Sequence, residues 1–455
     1  MLHEAAEKTE KYIGSFNIDM VAVVPFFVAL LVWVALSLDP DAVAGVIAAL
    51  IAFSPLWLVV YLGTIFWVIW MHYVRFNFWF NTPMTLLQVE LPPEVTKSPL
   101  AMEVFFAALW NTGGETTFFD RLWNGKGRPI WSLEIASNEG RITFYIHLRK
   151  IMKDVTEAKL YGQYPEARIT EVEDYVDKVD FNLEEYDMWC GEYKKSAAVG
   201  GHPADAVPIK TYIDYELDKN PDTPETKTDP LSNLLELMNT RGPGEYLWVQ
   251  MIIRAHAKDD WYGLQLNHDS FAEPAKAKVK EIMANAAKRA KEVITEEDIT
   301  EGKMALLTEG EKDLIKAIDR QTGKLVFQCG FRCLYIGKRE IYRGITGAST
   351  FRLFDSYRSG GNELRGTRGM VGFDYPWEDF RGIRKAHLKK MFFFHYKHRA
   401  YFYVPYDQVP VYLTTEELAS LWHFPNSAVK TPSLVRVPSR RSDAPANLPV
   451  GPGLI

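Results

Sequence analysis

Between Met20 and Met71 the chain is almost free of charge, and only Asp39-Pro40-Asp41 interrupts the run. A segment this long and apolar must be buried in lipid, so the rest of the chain has to fold as the cargo of an anchor. Met20–Leu38 is just long enough to cross a hydrocarbon core of about 30 Å at about 1.5 Å per residue. Ala42–Met71 is longer than one crossing needs and holds Ser54-Pro55 near its middle, which predicts a tilted or kinked second span. A cleaved signal peptide does not fit. The run is too long, a second follows at once, and no basic leader with a small-residue cleavage site precedes it.

The flanks set orientation. Lys8 and Lys11 precede the first span, His72 and Arg75 follow the second, and the turn between them carries no Lys or Arg. The positive-inside bias therefore predicts a transmembrane hairpin over residues 20–75 with both termini cytoplasmic, and a cytoplasmic N-terminal segment 1–19. Trp67, Trp70, Tyr73, Phe76, Phe78, Trp79 and Phe80 are expected to form an interfacial aromatic belt.

The remainder is long enough for about two domains. A net charge of −6 implies no global attraction to nucleic acid or acidic lipid. Cys190, Cys329 and Cys333 make an odd set without a disulfide framework. Cys329 and Cys333 lie in an apolar run read as a strand, without further Cys or His at zinc-ligand spacing, so they are expected to be buried thiols.

Residues 76–180 read as a first α+β domain. Met84–Leu91 is a strand ended by Pro92-Pro93, and Ser98-Pro99 opens a helix bearing Met102, Phe105, Phe106 and Leu109. Ile130–Ala136 and Arg141–Leu148 form a hairpin about Asn138-Glu139-Gly140, Ile151–Tyr161 is helical, and Ala167–Val172 is a strand. The order β-α-β-β-α-β is the ferredoxin-like arrangement.

Residues 181–208 read as a linker and 209–425 as a second domain of the same kind. Its expected elements are a strand Ile209–Leu217, a helix after Asp229-Pro230, and a strand Glu245–His256 paired with Leu325–Ile336. A helical insertion over about 257–323 contains Ala275–Val293 and a helix opened by the capping box Thr308–Glu311. Thr346–Tyr357 is the expected second covering helix, and Ala400–Val404 or Pro410–Tyr412 the closing strand. Thr414–Leu421 is a short helix, and residues 426–455 form a proline-rich tail. The fold class expected is thus α+β: a two-helix transmembrane hairpin followed by two tandem ferredoxin-like cytoplasmic domains.

Motifs of catalysis are absent. GxxxxGK[ST], HExxH, GxSxG and EF-hand patterns are missing, and His147, His202, His256, His268 and His387 are scattered without carboxylates at ligand spacing. No catalytic residue, cofactor or metal site is expected. Lys276, Lys278, Lys280, Lys288, Arg289 and Lys291 on the inserted helix read as a solvated face.

A denser basic-aromatic segment surrounds Phe392-Phe393-Phe394 and Tyr396. Its Arg381, Arg384, Lys385, Lys389, Lys390, Lys397 and Arg399 are the candidate contacts for nucleic acid or for acidic lipid headgroups. A buried strand with snorkelling charged ends explains the same residues without a ligand.

Thr414-Thr415-Glu416-Glu417-Leu418-Ala419-Ser420-Leu421-Trp422-His423-Phe424-Pro425, followed by Val429-Lys430-Thr431-Pro432-Ser433-Leu434 and Asn447-Leu448-Pro449, resembles a domain of membrane-anchored type IV secretion or conjugative DNA-transfer proteins of small-genome bacterial lineages. Lys97–Glu103, Tyr161–Pro165, Asp229-Pro230-Leu231 and Gly244–Gln250 fit the same pattern. The resemblance covers about Met84 to Pro449. In that family the Asn-Leu-Pro end leads into a coupling-type ATPase, whereas this sequence holds no phosphate loop. The resemblance implies a non-enzymatic platform at the bacterial inner membrane, with membrane lipid, a separate secretion-type ATPase and copies of itself as partners. DNA is a further partner if the basic segment binds it. A structural subunit of another envelope assembly is the rival reading.

Overall fold

The computed structural model describes residues 33, 37, 40–92, 95, 97–113, 117–196, 205, 207–219, 228–257, 260–261, 264–265, 269–293, 307–367, 377, 379–403, 406–425 and 433–436. The chain divides into two compact units, Met1–Trp70 and Met71–Ile455.

In the first unit the expected span Met20–Leu38 lies outside the described residues, apart from Trp33 and Ser37. The second apolar run forms two helices, α1 (Pro40–Ala52) and α2 (Ser54–Asn81), the latter running on into the second unit. The break at Phe53 sits where Pro55, lacking an N–H and crowding the preceding turn, ends regular helix. Pro40 and Asp41, expected in a turn, instead open α1. A fixed φ and a missing N–H suit proline to a first helical position, and Asp41 lies in the first turn. Among the described residues, Leu58–Asn81 of α2 is the one stretch long and apolar enough to cross a membrane. Helix α2 outlasts the expected end at Met71. Met71 and Val74 are buried, and Phe78 and Trp79 lie under the Arg149 guanidinium at 5.1 and 4.5 Å, so part of the expected aromatic belt packs on protein.

The second unit is α+β, built on a single antiparallel sheet. Its elements run β1 (Met84–Glu90), α3 (Pro99–Leu109), α4 (Phe118–Leu122), β2 (Ile130–Asn138), β3 (Arg141–Arg149), α5 (Lys153–Gln163), β4 (Arg168–Val172) and β5 (Tyr186–Lys195). There follow α6 (Leu231–Asn239), β6 (Glu245–Ala255), the small ribbon β7 (Asp260–Trp261) and β8 (Leu264–Gln265), α7 (Ala272–Val293), α8 (Glu309–Thr322), β9 (Val326–Lys338) and α9 (Gly344–Ser349). The last are β10 (Leu364–Thr367), α10 (Ile383–Lys397), the ribbon β11 (Phe402–Tyr403) and β12 (Tyr406–Asp407), β13 (Val411–Thr414) and α11 (Thr415–Leu421).

Nine of the described strands share one sheet in the order β10-β5-β9-β6-β2-β3-β1-β4, with β13 also pairing β9. The β2–β3 hairpin closes as expected through Glu139 and Gly140, both with positive φ (54° and 90°), the geometry that matches the twist of tight hairpins. Strands β2 and β6 pair along their length, Glu134 opposite Gln250, and join the two halves edge to edge.

One sheet face carries Leu133, Ile135, Phe144, Val249, Met251 and Phe331, packed under α3, α5, α6 and α11. The other carries Ala136, Tyr145, Trp248, Leu334 and Ile336, covered by Phe392 and Tyr396 of α10 and by Tyr175 and Val176. Burial on both faces explains why β6 and β9 read as nearly continuous apolar runs. Helix α7 buries Ala275 and Ile282 against Ile318 of α8, while Lys276, Lys280, Lys288 and Arg289 are exposed, in keeping with a solvated face. Helix α8 opens with the expected reciprocal capping box of Thr308 and Glu311, whereas Ser98 ahead of α3 makes no side-chain cap bond.

Three expectations for the second half differ from the structure. Residues 209–217 are turns, closed by local backbone bonds such as Asp214 N–H to Thr211 O, rather than a strand. The strand that opens this half is β5, inside the segment read as a linker. Its alternation is hidden because Glu192 and Lys195 are polar but buried, Lys195 on Glu417 at 2.8 Å and Glu192 on the Tyr406 hydroxyl. The closing strand is β10, paired with β5, while β13 adds to the start of β9, Val411 opposite Cys329. The expected helix Thr346–Tyr357 breaks into α9 and two short 3-10 turns. Gly344, Gly347, Ser349 and Thr350 there are poor helix formers.

Candidate basic-aromatic interface

The candidate contact segment is a helix, not a strand. Helix α10 follows a left-handed kink at Arg381 and Gly382 (φ 57° and 76°) and lies over the second sheet face. Basic residues occur around its whole circumference, so packing sorts them into three groups.

Arg399 is buried. It sits just past α10, its Nε and Nη2 each donating to a Glu134 carboxylate oxygen at 3.0 Å, and its other N–H groups reach Asp174. Glu134 also accepts from Ser132 Oγ at 2.6 Å and Gln250 Nε2 at 2.8 Å. Gln250 Oε1 accepts from Arg332 Nε at 2.7 Å, and Arg332 donates on to the carbonyls of His395 and Ala400 at 2.9 and 3.1 Å. A polar chain thus crosses β2, β6 and β9 beneath α10 and ties the sheet to the helix end. Tyr175 and Tyr396 hydroxyls meet beside it at 3.0 Å.

Burial drives the Glu134 carboxyl upward, but the charge and hydrogen bonds of Arg399 outweigh it and hold its pKa at about 2. Burial, reinforced by Arg399, pushes the His147 imidazole down to about 3. Burial, with Arg332 nearby, lowers His395 to about 4. Both histidines are therefore neutral at physiological pH.

Lys389 and Lys397 form the second group. Lys389 pairs with Asp187, and Lys397 pairs with Asp177 at 2.5 Å. Arg381, Arg384, Lys385 and Lys390 form the third and are exposed; Asp379 accepts from the backbone N–H groups of Arg384 and Lys385. Ile383, His387, Lys390 and Phe394 follow one another at helical spacing along the outer face, all exposed. The structure therefore keeps a smaller basic-aromatic surface than the sequence suggests, and Arg399 is no part of it.

A cavity of about 330 Å³ opens where α10 ends beside the last turn of α2. Phe80, Phe394, His398, Tyr401 and Tyr403 line it, with Ser132 and His147 among its polar groups. The rings of Phe394 and Phe80 flank that of His398 at 4.4 and 5.6 Å.

Sequence reasoning missed Glu134, Gln250 and Arg332, although a signal existed. Each is a polar residue flanked by apolar ones inside a strand (Leu133-Glu134-Ile135, Val249-Gln250-Met251, Phe331-Arg332-Cys333), where a buried polar group persists only if hydrogen-bonded. It also missed the buried pair of His423 Nε2 and Asp229 Oδ2 at 3.1 Å, with Ala419 O at 3.0 Å from Nδ1. His256 likewise meets Asp269 at 3.1 Å, and His202 and His268 lie outside the described residues. Cys190, Cys329 and Cys333 are buried and form no disulfide, and burial pushes the Cys333 thiol up to about 12. Among the described residues no three His, Cys, Asp or Glu side chains cluster as a metal site would require. No protein-family model matches the chain, and no curated protein matches it.

Proposed function

We propose that this chain is a non-enzymatic, membrane-anchored platform subunit of a type IV secretion or conjugation-like machine. It holds a separate secretion-type ATPase, or neighbouring copies of itself, at the bacterial inner membrane. In this reading Met20–Leu38 and the α1–α2 run form a transmembrane hairpin, and both termini and the folded body are cytoplasmic. The two halves of the body are tandem ferredoxin-like units, an order supported by the strand sequence β4-β1-β3-β2 in one half and β10-β5-β9-β6 in the other.

The observation that carries the reading concerns the tail, which in the resembling family leads to the motor. Ser433–Arg436 is docked on the body: Ile142 N–H donates to Ser433 O at 3.0 Å, and Val435 N–H donates to Ile142 O at 3.0 Å. Leu434 is buried against the main core and Ser433 Oγ meets Asn239 Oδ1. A short backbone zipper fixes Ser433–Arg436 on the body, as a subunit that positions its neighbours requires.

The test is affinity purification of the intact protein from its native membrane, with mass spectrometry of co-purifying chains. A phosphate-loop ATPase in near-stoichiometric amount is expected. Recovery of envelope proteins alone, without a motor, would favour a structural subunit of another assembly.

The exposed basic-aromatic face of α10 favours a second reading, a membrane-tethered nucleic-acid-binding module. Here the exposed Arg384, Lys385 and Lys390, rather than the buried Arg399, would contact phosphates. DNA binding that weakens steeply with salt and disappears on reversing those three charges is its signature. Binding unaffected by the reversal removes it.

A further inference from the structure

We propose that the turn formed by α4 and Trp123 is a second membrane contact, inserting its aromatic side chains among lipid headgroups. The inference rests on the reading of α2 as a membrane span.

The turn is locally well made. Thr117 caps α4 by accepting from Asp120 N–H at 3.0 Å, and its hydroxyl donates to Asp120 Oδ2 at 2.7 Å. The acid is neutralised by Lys126 at 2.7 Å. Leu122 is buried and anchors the turn, yet Phe118, Phe119 and Trp123 are 63, 59 and 61 % exposed. The rings of Phe119 and Trp123 stack 6.2 Å apart, at 17°. Three large aromatics held in order at a surface are costly to leave in water, and rings with one wet edge are the side chains that prefer a membrane interface.

Position selects lipid as the occupant. The chain after the turn runs along α2. A Cβ on Gly127 would lie 3.1 Å from Trp79 Cζ2, while one on Gly125 would lie 2.2 Å from Val74 O. Only a residue without a side chain, here at φ +63°, permits that second approach. Passing from Trp79 to Val74 moves toward the interior of the span by about 7–8 Å at about 1.5 Å per residue. The turn is tied to the residues on either side of Gly125, since Asn124 N–H donates to Phe119 O at 3.1 Å and Lys126 N–H to Asp120 O at 3.0 Å. Val74 itself belongs to the stretch Leu58–Asn81 that is long and apolar enough to cross a membrane. The headgroup zone on each side of a bilayer is roughly 5–8 Å deep, so side chains reaching out from this level meet it.

The full chain, reconstituted in vesicles of mixed zwitterionic and anionic phospholipid, provides the test. Cys190, Cys329 and Cys333 are buried, so an added surface cysteine can be labelled selectively with an environment-sensitive fluorophore. Labels go at Phe118→Cys, Phe119→Cys, Val60→Cys on the exposed side of α2, and Ile345→Cys. Ile345 is 80 % exposed, on α9, which packs on β5 through Gly347 against Trp189. Quenching by lipids carrying a nitroxide near the headgroup is read against quenching by aqueous iodide. Several-fold stronger lipid quenching at 118 and 119 than at 345, with quenching at 60, is expected. Quenching at 60 alone overturns the inference, leaves the span intact and assigns the aromatic turn to a protein partner. Absence of quenching at 60 overturns the span reading, and the inference with it.

Discussion

Replacing Arg399 by Met keeps side-chain bulk but removes the charge that Glu134 faces inside the protein. The backbone at this position has φ 50°, a strain common to Arg and Met, so it cancels from the comparison. Glu134 is held from 4.5 down to about 2, and about 1.4 kcal/mol per pH unit makes the interaction worth on the order of 3 kcal/mol. Removing one partner of a buried pair costs about 3–5 kcal/mol, so the two routes agree. The sign with pH follows. A depressed carboxylate stabilises the fold above its unfolded value and loses that contribution as pH falls through its folded value. Glu134 in the parent protein therefore leaves stability flat from pH 8 to 5 and weakens it only below 4.5, toward 2. In Arg399→Met, burial dominates and raises the Glu134 pKa, so the loss is largest at pH 8 and shrinks toward pH 5.

Urea unfolding of the full chain in micelles at both pH values, followed by far-UV circular dichroism, measures it. Glu134→Gln keeps the hydrogen bonds to Ser132 and Gln250, and in combination with Arg399→Met should recover coupling toward the upper end of about 0.5–3 kcal/mol. A single-variant loss under about 1 kcal/mol, the range of exposed pairs, or strict additivity in the double variant would refute the reasoning.

Two further outcomes are expected. Gly125→Ala places a methyl 2.2 Å from Val74 O at φ +63°. It should lose at least the roughly 1–2 kcal/mol of left-handed backbone cost. Gly310→Ala, in helix α8 with open space at its Cβ, should gain about 0.5–1 kcal/mol. Thermal unfolding of the two variants in parallel, moving in opposite directions, checks the pair. For His423, burial pushes the imidazole down, but the Asp229 charge and hydrogen bond outweigh it and hold its pKa above 6.5. A raised histidine contributes fully below 6.5 and fades as pH rises through its folded value, so stability should fall from pH 6 to 8. Asp229→Asn should abolish that slope, and stability that rises over the same range in the parent chain would contradict the pair.

Much of the architecture was legible because its causes are local. The apolar run and Pro55 predicted helix with a break. Glu139-Gly140 predicted the hairpin, Thr308 with Glu311 predicted the start of α8, and the dense apolar runs predicted β6 and β9. Strand β5 was not legible. Its interior polar residues are tolerable only because Glu417 and Tyr406 arrive from more than two hundred positions away. The candidate interface divides in the same way. Composition located a basic-aromatic segment but ranked Arg399 with Lys390, although one is locked inside and the other is exposed. That difference depends on Glu134 and Asp174, 265 and 225 residues distant in sequence. Periodicity and caps act within a few residues and can be read from the chain alone. Charge pairing inside a sheet depends on which strands become neighbours, and only the tertiary structure decides that.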